Sequence, residues 1–199
     1  LSLGEYCALA AAGVMSEEDA ITTVRQRGIF MQEEVPAGEG AMAAILALDA
    51  AVIEEVTADI DGVWIANYNC PGQIVISGKK AAVEEACEKL KAAGAKRAIM
   101  LNVNVEIHKP VIPYAANVTA QYVTEAEPVK DLLVKQVSSS VKWQQCVETM
   151  LADGVDTFIE IGPGKTLAGF MRKIDRSVKT LNVEKLEDIE KVVEALKEA

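Results

Sequence analysis

Val63-Trp64-Ile65-Ala66-Asn67-Tyr68-Asn69-Cys70-Pro71-Gly72-Gln73-Ile74-Val75-Ile76-Ser77 reads as two strands, Val63 to Tyr68 and Gln73 to Ser77, flanking the turn Asn69-Cys70-Pro71-Gly72. Upstream, Gly40 to Leu48 is an apolar strand and Asp49 to Asp59 a helix. Downstream, Lys80 to Ala93 is an amphipathic helix and Lys96 to Val103 a further strand. Strand, helix, strand, strand, helix, strand is the ferredoxin-like βαββαβ order. The Gly/Pro-rich break from Pro36 to Gly40 precedes it, so residues 39–104 read as a subdomain inserted in a larger domain.

The larger domain falls on either side, as a discontinuous α/β core over 1–38 and 105–199. Glu5 to Val14 is a helix closing near Gly13, and Ser16-Glu17-Glu18-Asp19 is a capping-box-like start for a second helix reaching about Gln32. Ala20, Val24 and Met31 form an apolar stripe on that second helix, with Arg27 on the same stripe where a core residue is expected. Beyond Pro110, Val111 to Val118 is expected as a buried strand, Val129 to Val137 as a helix, and Ser140 to Asp153 as another that holds Trp143. Thr157 to Ile161 reads as a strand entering Gly162-Pro163-Gly164-Lys165 and then a helix through Ile174, an α/β crossover. Glu184 to Ala199 is a charged terminal helix, expected as a solvated face.

A length of 199 residues with 50% hydrophobic content is enough to bury a sizeable core. The net charge of −10 argues against nucleic acid, whose phosphates need clustered Lys and Arg in excess. No stretch approaches the apolar length of a membrane helix and no signal-peptide pattern precedes the first helix, so the expected compartment is the cytoplasm, with no membrane partner. The four cysteines, Cys7, Cys70, Cys87 and Cys146, are scattered without a C-x-x-C pair, which suggests reduced core thiols rather than a metal site or disulfides.

Two short motifs bear on chemistry. Ser2-Leu3-Gly4 supplies the second half of a G-x-S-x-G elbow, which sets a Ser proud of a strand-to-helix turn with the first helical N–H groups facing an oxyanion. Gly162 to Lys165 lacks the G-x-x-x-x-G-K-[ST] spacing of a phosphate loop, and its glycines are expected to permit close packing of a turn.

Taken in order, several blocks resemble the malonyl-CoA:acyl carrier protein transacylases of fatty-acid synthesis over nearly the whole chain. They are Ser2-Leu3-Gly4-Glu5-Tyr6, Arg27-Gly28 with Met31-Gln32, Gly40-Ala41-Met42-Ala43-Ala44-Ile45 and Asn67 to Gln73, then Ala92 to Arg97, Ile112-Pro113, Asn117-Val118-Thr119, Val134-Lys135-Gln136 and Glu160 to Lys165. The resemblance implies an α/β-hydrolase-like acyltransferase core, incomplete in this sequence, with the ferredoxin-like βαββαβ insertion. An upstream part, and a His-bearing segment expected near Val103 to Val105, are not in the sequence.

What the resemblance implies chemically is a ping-pong transfer, with malonyl-CoA as substrate, acyl carrier protein as partner, and neither cofactor nor metal. Ser2 would be the nucleophile, and the Leu3 N–H one oxyanion donor, the other coming from an upstream loop. Arg27 falls on the family's Arg that grips the free malonate carboxylate through paired N–H bonds; read without the resemblance, it pairs with a structural carboxylate or snorkels to the surface. Gln136 matches the Gln that orients the catalytic His through its carbonyl, and would lack that partner here. Asn117 would line the substrate cleft with the Asn69 to Gln73 loop, where a hairpin role for Asn69 and Gln73 carries equal weight. The one histidine, His108, is either the general base or a polar residue at a strand entry. Lys96, Arg97, Arg172, Lys173 and Arg176 are candidates for docking an acidic carrier protein, or form a solvated basic face. Two alternatives stay open: a non-catalytic scaffold remnant of this fold, and an acyltransferase of the polyketide-synthase kind.

Overall fold

The structure, a computed structural model, describes residues 1–34, 39–90 and 109–197. It is a mixed α/β chain that divides into two compact units, Leu1–Cys146 and Val147–Ala199.

The first unit opens with two helices, α1 (Gly4–Ala11) and α2 (Glu17–Glu34). Gly13 stops the first: its φ of +70° is left-handed backbone that favours glycine after a helix end. Ser16 starts the second by accepting the Asp19 N–H at 3.0 Å, and its hydroxyl donates to the Asp19 carboxylate, so the cap half of the expected box is in place and Asp19 returns to the Ser16 side chain. Tyr6 and Leu9 from the first helix, Ala12 just past its end and Ala20 from the second bury together with Val14 and Met15.

The middle of this unit runs β1 (Gly40–Leu46), α3 (Ala50–Ala58), β2 (Val63–Cys70), β3 (Gln73–Lys79) and α4 (Lys80–Lys89). The sheet order is β1-β3-β2, antiparallel throughout, with Ala43 opposite Ile76 and Ile65 opposite Ile76 across the central strand. Strand alternation sends Ile74 and Ile76 to one face, where they meet Ile53 from the first flanking helix and Val83 and Ala86 from the second. Fully burying each such Ile contributes about 1.5–3 kcal/mol. Five of the six expected elements are therefore in place; the sixth, Lys96 to Val103, lies outside the described residues. Gly78 belongs to the sheet for a steric reason, since a Cβ there would collide with the Gly62 carbonyl.

The second strand carries two register shifts, between Ile65 and Asn67 and between Tyr68 and Cys70. Such bulges free backbone groups from the ladder. Those groups reach across to a later segment: the Val141 N–H donates to the Ala66 carbonyl at 2.8 Å, and the Tyr68 N–H donates to the Val141 carbonyl at 2.9 Å.

The remainder of the first unit comprises β4 (Tyr114–Ala115), β5 (Tyr122–Val123) and α5 (Val129–Ser138), and α6 (Trp143–Ala152) begins in it. The buried strand expected over Val111 to Val118 shrinks to its two-residue centre, and Val111 and Ile112 are 82% and 56% exposed. Pro110 and Pro113 remove backbone donors there, and the Ala120 N–H donates back to the Ala116 carbonyl with Ala120 at φ +58°, closing a tight return. Tyr114, Ala116, Val123, Val129, Leu132 and Leu133 complete the core that the first two helices began.

In the second unit, β6 (Thr157–Ile161) and β7 (Lys179–Val183) pair in parallel through the crossover helix α7 (Thr166–Ile174), and α8 (Leu186–Lys197) follows. The seventh strand is absent from the sequence expectations. The terminal helix is not wholly a solvated face, since Val192 is buried. A Cβ added at Gly162 or Gly164 would meet nothing within 4 Å, and their φ values are +135° and +87°. Backbone conformation, and not close packing, is what requires glycine in that turn.

Candidate active site

Ser2 sits in the turn that leads into the first helix, where the chain's first N–H donors are consumed locally. The Gly4, Glu5 and Tyr6 N–H groups donate to the Leu1, Ser2 and Leu3 carbonyls. Among the described residues no backbone carbonyl takes the Leu3 N–H, which stands beside Ser2 at the positive end of the helix dipole. The Ser2 side chain is half-buried rather than proud of the turn.

Arg27 reaches it from the second helix. Thr23 is 3% exposed and Ala20 7%, so their stripe faces inward and carries Arg27, one turn on, toward the start of the first helix. Arg27 Nη2 donates to Ser2 Oγ at 2.9 Å. Arg27 Nε is buried with no partner, and no carboxylate among the described residues pairs with this guanidinium. The structural ion pair entertained for Arg27 is thus not found among them, and neither is an escape to the surface.

One helical turn after Ser2 lies a second polar group, centred on Glu5. Glu5 is 5% exposed. Its Oε2 accepts the Asn117 backbone N–H at 2.9 Å and Gln136 Nε2 at 2.8 Å, while its Oε1 is buried without a partner among the described residues. Burial raises the Glu5 pKa above its ordinary value, while hydrogen bonds from the Asn117 backbone, the Gln136 side chain and the Asn117 side chain act in the opposite direction. The signal in the sequence is that Glu5 and Leu9, four residues apart, share one face of a short apolar helix, and Leu9 is completely buried.

Gln136 donates its side-chain amide to Glu5, a partner that the sequence reading does not name. Its donor is held by Glu5, which leaves Oε1 as a buried acceptor with no described donor. Asn117 is buried too, with its N–H on Glu5 and its carbonyl accepting the Lys142 N–H at 3.0 Å. Tyr6, Tyr114 and Cys146 border this group. Burial pushes both phenols up and the Cys146 thiol up to about 12, so they stay neutral at ordinary pH.

The structure thus brings Ser2 to Arg27, and Asn117 to Gln136 through Glu5. Asn69 is buried in the second strand with Oδ1 unpartnered among the described residues. Arg172 and Lys173 end the crossover helix of the second unit and are exposed, as is Arg176, whose Nε donates to the Arg172 carbonyl at 3.2 Å. Lys96, Arg97, His108 and the stretch from Val103 to Val105 lie outside the described residues. Among the described residues there is no cluster of His, Cys, Asp and Glu that could hold a metal, and no helix long and apolar enough to cross a membrane.

Residues 1–131 match the acyl transferase domain family. The malonyl CoA-acyl carrier protein transacylase of Bacillus subtilis strain 168 is 46% identical over 222 residues, covering 99% of this chain and 70% of the relative. That matched span exceeds the 199 residues of the chain, so the relative carries residues within it that this chain lacks. The crystal structure of the Clostridium perfringens malonyl CoA-acyl carrier protein transacylase superposes with a TM-score of 0.90 at 38% identity, covering 100% of this chain and 70% of that one. A malonyl-transacylase solved in complex with its type II PKS acyl-carrier protein gives a TM-score of 0.87 at 32% identity, covering 98% of this chain and 71% of that one.

Proposed function

This chain belongs to the acyl transferase family, among the malonyl CoA-acyl carrier protein transacylases, and we propose that Ser2 is the nucleophile with which it carries malonyl from coenzyme A to an acyl carrier protein. The observation that carries the assignment is the 2.9 Å contact between Arg27 Nη2 and Ser2 Oγ, with a second guanidinium N–H, on Nε, buried and unengaged beside it.

Malonyl-CoA differs from acetyl-CoA by a free carboxylate, and a guanidinium fork with an unpaired N–H is the natural receptor for it. With the carboxylate on Arg27, the thioester carbonyl comes within reach of Ser2. Ser2 Oγ attacks that carbon, the oxyanion is met by the Leu3 N–H, and the C–S bond breaks as coenzyme A leaves with the proton that Ser2 gives up. The phosphopantetheine thiol of the carrier then attacks the malonyl ester, and Ser2 regains a proton. Gln136 Oε1 is a buried acceptor with no described donor and is available to a group that orients this exchange.

Residues 39–104 are read as a ferredoxin-like insertion in an α/β-hydrolase-like core, on the support of the β1-β3-β2 order and the two flanking helices. Arg172 and Lys173 in the second unit are proposed as candidates for docking the acidic carrier, as, separately, are Lys96 and Arg97, and the cytoplasm is the proposed compartment. Intact-protein mass spectrometry after incubation with malonyl-CoA tests the central step. A malonyl mass on the peptide containing Ser2, discharged by holo acyl carrier protein and absent from Ser2→Ala, is the expected result; equal labelling of Ser2→Ala would sink the assignment.

A further inference from the structure

We propose that Glu5 is a positioning residue for the transfer, fixing the nucleophile's turn by tying the start of α1 to Asn117 and Gln136. The inference rests on Ser2 being the nucleophile. Glu5 follows Ser2 by one helical turn, and its carboxyl joins two segments that are 112 and 131 positions away along the chain. At its far end the same helix is held by backbone, through the Val111 N–H donating to the Ala12 carbonyl at 2.6 Å. At the end that holds Ser2, Glu5 is tied to the core and Arg27 to Ser2. The Arg27 tie must yield when a carboxylate binds, whereas the Glu5 tie need not.

The arrangement suits a carboxyl oxygen. Two N–H donors converge on Oε2, which has a lone pair for each, and the same contact turns the Gln136 amide so that Oε1 is left as a free acceptor. Without Glu5 the Gln136 amide is free to flip or rotate, and the Asn117 N–H is left unsatisfied in the core. A glutamine at position 5 can present its own oxygen to both donors, with its NH2 toward the place where Oε1 now meets no partner. Geometry, and not charge, is thereby the part that Gln can restore.

Three variants, Glu5→Ala, Glu5→Gln and Gln136→Met, are compared with the unaltered chain for malonyl uptake and for hydrogen exchange. Glu5→Ala and Gln136→Met are expected to lower the rate of Ser2 acylation, per folded molecule, by about 10- to 100-fold with KM for malonyl-CoA within about twofold, and Glu5→Gln to stay within about threefold of the original. In the double variant Glu5→Ala/Gln136→Met the loss should not multiply. Exchange in the peptide spanning residues 1–9 should quicken in Glu5→Ala beyond any change in α2, and Glu5→Gln should restore it. Unchanged acylation per folded molecule in Glu5→Ala, or multiplying losses, would overturn the proposal. Should Glu5→Ala not fold, Gln136→Met and Glu5→Gln decide by the same criteria. If the unaltered chain takes up no malonyl, the reading of Ser2 falls, and exchange at residues 1–9 alone settles whether Glu5 holds that turn.

Discussion

Arg27 Nη2 lies 2.9 Å from Ser2 Oγ, so one guanidinium touches the hydroxyl proposed as the nucleophile and keeps its buried Nε unengaged among the described residues. In the proposed reading, selection of the acyl group and its attack are both set by the packing of two neighbouring helices. Arg27→Lys keeps a positive charge but cannot reproduce the planar fork. We expect kcat/KM for malonyl-CoA to fall by about 10- to 100-fold, the equivalent of the roughly 1.5–3 kcal/mol of a charge-assisted pair. Acetyl-CoA, which offers no free carboxylate, should be affected far less. Steady-state assays with both donors check this, and equal losses would mean that Arg27 only supports the fold.

In the second unit, Glu160 accepts the Leu167 and Ala168 N–H groups at 3.1 and 2.8 Å, which closes the start of the crossover helix. A carboxylate there satisfies two orphan donors and opposes the positive helix end. Glu160→Ala should therefore cost about 1–2 kcal/mol, read as a lower urea midpoint at an unchanged slope. The turn before it loses nothing else, since Asn182 Nδ2 still donates to the Gly164 carbonyl.

Glu5 makes stability depend on pH in a definite direction. Burial, the largest influence, raises its folded pKa above the ordinary 4.5. Between those two values the folded chain holds the proton more tightly than the unfolded chain, so this carboxyl's contribution to stability diminishes as pH rises from about 4.5 through the folded value. Tyr6, Tyr114 and Cys146 around it stay neutral over that window. The unaltered protein should lose stability relative to Glu5→Gln across that rise and run parallel to it at lower pH. Urea titrations at several pH values test this; an opposite slope would mean that the Asn117 and Gln136 donors outweigh burial.

The elements most legible in the sequence are those whose signals are local. Ser16 and Asp19 announce the second helix by a cap, and the strands around Pro71 and Gly72 announce themselves by a turn between β-branched runs. The strand Lys179–Val183 is not legible, because its partner lies 22 positions upstream and the pairing is parallel, with no turn between them to mark it. Val111 and Ile112 mislead in the other direction, since an apolar pair next to two prolines looks like the start of a strand and is instead left in solvent. Within the site, Ser2, Arg27, Asn117 and Gln136 are marked by family resemblance. Glu5 falls within a resembling block but is given no role by it, and its partners lie more than a hundred positions away.

The placement of Arg27 also makes the second helix a phase-sensitive device. Ala20 and Thr23 lock its rotation against the first helix, and Arg27 follows in step. Inserting one residue between Thr23 and Arg27 would turn the guanidinium by about 100° around the helix axis, away from Ser2, with every charge and every hydrophobic residue of the segment retained. Drift in acyl preference among such chains can therefore arise from insertions and deletions as readily as from exchange of the arginine itself.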